Sequence, residues 1–449
     1  MRRATGILLA LALALGQVSA SRAAAQEAAR EAQPAPLELD LRACIDQAVH
    51  NNLAVRLAEA GTGAARGRIL QSASSLLPRL TGSMSQTRIF KEDLPAMGFS
   101  GGGFPELLGP WNDFEARVRL VAEVFDLPSI LRLKSANADD RAAAMETSLA
   151  TEQVAGATAL AYMELFRSRQ AIASAAADVK LAASLRELAE DKKKAGTAAG
   201  IDVARARTRE EEEKLALLEA RTVAQEAEVR LLRVTVLPLG KSIVLKEEPA
   251  FAPAETPRPE EALQAALAGR WEMRIADERI AAAQAQWRAE RSERLPSVAL
   301  TGDVGLSGPD PDSRARTTGS AGAALRIPIF TGRAIEGRVR EADSRRAAAE
   351  ARLASMRAQV EEDVRLAVIS LGAAIERVDT AAEVARLAED ELSMARDRFA
   401  AGVADNVELL NSQTAVSHAR NAQVSALARY QVARISLAMA MGRMRDFKF

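Results

Sequence analysis

A single cysteine, Cys44, excludes an internal disulfide, and two isolated histidines, His50 and His418, offer no metal-ligand spacing. Aromatic residues make up only 4% of the 449 residues, unlike an ordinary enzyme core. Lys plus Arg and Asp plus Glu balance at 60 each, which removes the electrostatic case for nucleic acid. There is no glycine-rich nucleotide loop, no Ser/His/Asp set and no cluster of metal ligands. The chain is therefore read as a non-enzyme without a cofactor. Past the first 25 residues no stretch approaches the ~18 apolar residues of a membrane helix. A β-barrel stays open, because its strands carry only a weak alternating signal.

Residues 1–25 read as a secretory signal. MRR is the basic start, ILLALALALG the short apolar core, and Val18-Ser19-Ala20 or Ala23-Ala24-Ala25 the small-residue cleavage site. An apolar core of about ten residues is too short for a membrane anchor.

What is abundant is Ala, Arg, Glu and Leu, the composition of long helices. Proline breaks helix interiors, and it is confined to 34–36, 78–128, 238–259 and 296–328. The proline-free tracts 37–77, 129–237, 260–295 and 329–449 run short, long, short, long. From Leu353 apolar residues recur at Met356, Val360, Val364, Ala367, Leu371, Ile375, Val378, Ala382 and Ala385, a coiled-coil-like seam. Each long tract has one glycine-bearing break, KKKAGTAAGIDVARA (192–206) and DRFAAGVADNVELLN (397–411). Both predict tight helix–helix turns, formed by Gly196 with Gly200 and by Gly402. The long arms would reach roughly 100 Å. Such rods need partners, and tract 260–295 plus arm 403–441 is long enough to lie end to end along one of them.

The interruptions alternate like strands. In WNDFEARVRLVAEVF (111–125) Phe114, Ala116, Val118, Leu120, Ala122 and Val124 share one face, and Glu115, Arg117, Arg119 and Glu123 the other. Val298, Leu300, Val304 and Leu306 share a face, as do Ala323, Leu325, Ile327 and Ile329. Two hairpins are expected, 79–90 with 112–125 and 296–307 with 318–330. Phe90, Phe99, Phe104, Trp111, Phe114, Phe125 and Phe330 cluster there, as in an interfacial girdle. Alternation alone fits either membrane strands or a soluble sheet packed on the helices. Four strands cannot close a barrel; three copies would supply twelve.

Finally, the chain repeats itself. SSLLPRLTG at 74–82 returns as RSERLPSVALTG at 291–302, about 218 residues later. The openings PLELDLRACIDQAVHNNLAVRLAEA (36–60) and RPEEALQAALAGRWEMRIADERIAAAQAQ (258–286) correspond. With the ending GVADNVELLNSQTAVSHARNAQVSALARYQVARISLAMAMG (402–442), this order resembles the TolC family of outer-membrane efflux proteins. The family usually has Pro where Leu53 and Trp271 stand.

The resemblance implies a mainly α fold with a membrane β portion: a coiled-coil tunnel plus four strands per protomer, and a trimer with a twelve-stranded barrel. It divides the chain into a signal (1–25), a first short helix (26–78) and a first membrane hairpin (79–125). A long helix with a periplasmic turn near 195–200 and its return helix follow (126–237), then an equatorial linker (238–259). The second copy has a short helix (260–295), a hairpin (296–330), and a long helix turning near 401–405 (331–449). The implied function is the exit duct of a tripartite efflux pump or type I secretion system in a Gram-negative outer membrane. Its implied partners are two further copies, a periplasmic adaptor, an inner-membrane transporter and outer-membrane lipid. Asp202, Glu408 and Asn411 would line the periplasmic aperture, with one acidic ring rather than two. Gly196, Gly200, Phe399 and Gly402 would form the turns where an adaptor docks. Phe399 and Ala404 replace a Tyr and an Arg that latch the tip in some relatives, which implies closure by packing. The alternative is a soluble periplasmic coiled-coil scaffold or adaptor.

Overall fold

Helix runs wherever proline is absent, and each run stops at a residue that can leave the helical region. The computed structural model describes residues 37–93, 107–247, 249, 251–252, 255–311, 314–404 and 406–448. The proposed signal, Phe99 and Phe104 lie outside them. In chain order the first copy has β1 (Leu37–Leu39), α1 (Leu41–Asn51), α2 (Leu53–Ser74), β2 (Arg79–Ile89), β3 (Glu92–Asp93), β4 (Leu107–Leu108), β5 (Trp111–Phe125), α3 (Leu127–Lys194), α4 (Gly200–Val234) and β6 (Ile243–Leu245). The second has α5 (Pro259–Gly269), α6 (Trp271–Ser292), β7 (Ser297–Gly308), β8 (Arg316–Arg326), α7 (Ala334–Ala400) and α8 (Asn406–Ala440).

Breaks between helices recur at corresponding places in the two copies. Asn52 and Arg270 both separate a short helix from a longer one, with nearly the same extended backbone (φ −69°, ψ 134° and φ −67°, ψ 133°). That conformation is the one a following proline imposes. The kink therefore survives here although Leu53 and Trp271 replace proline. Asn52 caps α2 by accepting from the Ala54 amide at 2.8 Å.

Four helix widths form one layer. α3 packs on α2 and α4 along one flank and on α6 and α8 along the other, and α7 packs on the outer side of α6 and α8. The short helices thus lie end to end in pairs beside two rods of 68 and 67 residues. At 1.5 Å per residue each rod is about 100 Å long. The seam expected on α7 is its core face: Val360, Val364, Ala367 and Leu371 are buried against α5 and α8 with Tyr430. Ala382 is exposed instead. At mid-height, α1 covers α3, α5 covers α7, and β1 pairs in parallel with β6. Cys44 is fully buried there, and desolvation pushes its thiol up to about 12, which leaves it unreactive.

Position in the layer decides burial. The interior α6 buries 7 of its 22 residues, whereas its counterpart α2, on the flank, buries 2 of 22. Interior α8 buries 15 of 35 and flanking α4 only 7 of 35. The outermost helices on both sides carry exposed apolar residues: Leu57, Leu70, Leu215 and Leu218 on α2 and α4, Leu387 and Met394 on α7.

The four longer strands form one antiparallel sheet in the order β2-β5-β7-β8. β8 ends at Arg326, so Ile327 and Ile329 lie past it; Pro328, which has no N–H to give, prevents the ladder from continuing there. Just below the sheet, Glu290 of α6 and Glu293, the residue that ends this helix, hold Arg132 of α3 and Arg338 of α7. Glu290 lies 3.8 Å from Arg132 and 3.3 Å from Arg338, and Glu293 bonds both.

Lower in the layer, Asp178 of α3 is buried, 3.5 Å from Arg420 of α8, which also bonds Glu389 of α7 at 2.8 Å. Burial raises the Asp178 carboxyl, against the opposing pull of Ser417, Arg420 and Arg209. A carboxyl raised by folding contributes stability that is complete below its ordinary value and is lost as pH rises through the raised one. Asp178→Asn, which keeps the shape without the charge, is therefore expected to melt above the parent at neutral pH. Melting curves should show that advantage shrinking as pH falls toward about 4.

Candidate functional site

Two places carry the features of a conduit: the sheet, and the far end of the rods. In the sheet, register fixes which residues share a face. Thr81 pairs with Arg119, which pairs with Asp303, which pairs with Ser320. Arg117 bonds Asp303 and reaches Thr318 at 3.2 Å, while Ser320 donates to Asp303. This polar row crosses all four strands. The opposite face holds Leu80, Met84, Val118, Leu120, Leu300, Val304, Leu306 and Leu325, all exposed, Leu80 at 72% and Leu325 at 64%. Among the described residues no helix covers that face, as a sheet packed on the helices would require. An apolar outer face over a polar inner one is the pattern of a membrane β-wall.

At the other end both turns close in the same way. Gly196 (φ +76°) and Gly402 (φ +77°) sit in the left-handed region just past α3 and α7. Thr197 donates back to Lys192 at 2.9 Å and Val403 to Arg398 at 3.0 Å, so each helix ends in a Schellman motif. Gly200 is the first residue of α4.

The acidic candidates differ between copies. Asp202 accepts from the Ala199 amide at 3.1 Å, and its carbonyl accepts from Asn406 Nδ2 at 3.0 Å. It caps its own helix and ties α4 to the start of α8. Glu408, its counterpart, pairs at 3.0 Å with Arg398, across the turn. Asn411 is exposed one helical turn on.

Phe399 is only 5% exposed and packs with Leu185, Ala395 and Leu409. Lys192 lies 4.5 Å from its ring centre and donates to its carbonyl. One cation thus stacks on an aromatic face and caps the end of α7. Lys192, Arg398 and Asn406 were not singled out in the sequence, although aligning the two glycine turns puts Lys192 opposite Arg398 and Asp202 opposite Glu408. Among the described residues no group could hold a metal ion, and no helix is long and apolar enough to cross a membrane.

The molecule is an elongated helical wall that carries a four-stranded sheet with one exposed apolar face. Residues 262–443 match the family model described as outer membrane efflux protein. The fold is that of solved channels. OprN superposes with a TM-score of 0.79 at 21% identity, covering 90% of this chain and 89% of that one. VceC from Vibrio cholerae gives 0.78 at 21%, covering 90% and 96%. CmeC from Campylobacter jejuni gives 0.78 at 20%, covering 90% and 85%. No curated protein matches the chain by sequence. Residues 262–443 are thus similar to the outer membrane efflux proteins, and the chain as a whole has the fold of solved outer-membrane channels.

The packing at the tip yields an expected outcome. Phe399→Ala removes a buried ring, worth about 3–5 kcal/mol where burial is complete. Trypsin should then cut at Lys192–Lys194 and Arg398 well before the rest of the chain is attacked, and sooner than in the parent. Lys192→Met, which keeps the packing, should show a smaller effect.

Proposed function

We propose that three copies assemble into a continuous duct, and that this duct is the exit stage of a tripartite efflux pump or type I secretion system. The observation that carries the reading is the pair of unfinished rims. The sheet ends in β2 on one side and β8 on the other, and the helical layer ends in apolar flanks on α2/α4 and on α7. Backbone groups on a strand edge cannot be left open in lipid. A left rim that fits a right rim is a heterologous contact, which forms a closed ring when the rotation closes. Three copies make twelve strands, an even number within the range of known barrels.

At the far end of such a ring Asp202, Glu408 and Asn411 would recur three times around the periplasmic aperture. Glu408 is the main acidic contributor, its charge moderated by Arg398, and Asp202 is largely occupied in capping. The turns at Gly196, Gly200 and Gly402 would receive a periplasmic adaptor. Exposed Ile201 and Val403 supply apolar contacts there, while Phe399 holds the turn from inside. An inner-membrane transporter would feed the duct through that adaptor.

The reading predicts a protein that fractionates with outer membranes and runs as a heat-sensitive trimer. In planar bilayers it should conduct with modest cation preference. Glu408→Ala should lower that preference; unchanged selectivity would remove the acidic ring from the proposal. A water-soluble monomer after lysis without detergent would support a periplasmic scaffold instead.

A further inference from the structure

The wall has a hollow where two of its helices meet end to end. α8 stops at Ala440, Gly442 turns the chain, and α6 begins only at Trp271. The gap between them leaves a groove of about 820 Å³ between α3 and α7. Leu149 and Leu160 of α3, Ile369 of α7, and Val432 and Met439 of α8 form its apolar lining. Ile369 is 67% exposed.

Charge in the groove is divided by position. At the join, Arg270 bonds Glu272 at 2.8 Å and Asp363 at 2.7 Å, and Glu152 accepts from the Met444 amide at 2.9 Å. The acids there are engaged. Toward the tip, Arg377 of α7 and Arg429 of α8 also line the groove. Both are exposed and neither has an ion-pair partner among the described residues. Two uncompensated guanidinium groups therefore stand at one end of an apolar trough.

The side on which the groove opens follows from the wall itself. On α8, Tyr430 and Leu437 face the cluster with α5, while Arg429, Val432, Ser436 and Met439 lie on the other side. Twelve helices spaced about 8–10 Å apart make a ring of radius roughly 15–19 Å. A second layer about 10 Å thick inside that ring would block the bore, so α1 and α5 belong outside. The groove then faces the lumen; this step rests on the trimeric duct.

The geometry points to this groove as a binding site for amphipathic organic anions in transit. The apolar body lies on Ile369, Val432 and Met439, and the carboxylate or sulfonate bonds Arg377 and Arg429. Guanidinium groups match such oxyanions bidentately, and the surrounding hydrocarbon supplies contact area. Each trimer carries three such sites at mid-height, beyond the aperture and before the barrel.

The test uses the reconstituted trimer in planar bilayers with two probes of the same ring system. These are 8-anilinonaphthalene-1-sulfonate and the neutral N-phenyl-1-naphthylamine. The sulfonate is expected to block the current in a concentration-dependent way. The double variant Arg377→Gln/Arg429→Gln should raise its half-blocking concentration at least tenfold and leave the effect of the neutral probe unchanged. Equal block of parent and variant by the sulfonate overturns the site while leaving the duct intact, as does a neutral probe as potent as the sulfonate on the parent. A correctly assembled parent that conducts no current overturns the duct, and the site with it.

Discussion

Hydrocarbon offers a backbone amide nothing to bond with, so a sheet placed in lipid must end nowhere. Each unmet group costs several kcal/mol. The sheet of one chain is open at β2 and β8, and among the described residues no helix covers its apolar face. Rods of about 100 Å extend from the strands, and their outer flanks remain as open as the strand edges. The wall is continuous only within the chain, where α6 and α8 lie between α3 and α7. Both margins are unfinished in the sheet and carry exposed apolar residues in the helices.

The duplicated halves have not kept identical duties. Just below the sheet, Glu290 of α6 and Glu293 at its C-terminal end bind arginines on both neighbouring rods. Glu293 stands two residues before its Leu-Pro pair, where the first copy has Ser75. The interior joint is thus clamped by charge, and the flanking α2 presents hydroxyls and apolar surface instead. At the tip the division recurs: Asp202 satisfies an amide of its own helix, whereas Glu408 answers Arg398. The same backbone turn supports an amide-capping acid in one copy and an ion-paired one in the other.

Much of the fold was legible because proline and glycine act locally. Proline excludes itself from helix interiors whatever surrounds it, and Gly196 and Gly402 mark the left-handed residue that ends a helix. Strand alternation in 111–125 was readable for the same reason, since side chains alternate in any extended segment. The tip was less legible. Lys192 lies within a run of three lysines and looks like a solvated helix end, yet it stacks on Phe399 across the wall. Nothing in the run distinguishes it from Lys193 or Lys194.

By itself the sequence determined which segments are helix, which are strand, where each stops, and that the pattern occurs twice. Those properties follow from backbone sterics and periodicity within a few neighbouring residues. Only the tertiary structure decided that the sheet is left uncovered, which copy of each helix lies inside the wall, and that Arg270 is engaged while Arg377 and Arg429 are not. Such outcomes depend on contacts between segments far apart in the chain, for which identical local patterns in the two halves give identical expectations. The equivalent helices α2 and α6 show the difference, since their surroundings and not their periodicity set how much of each is buried.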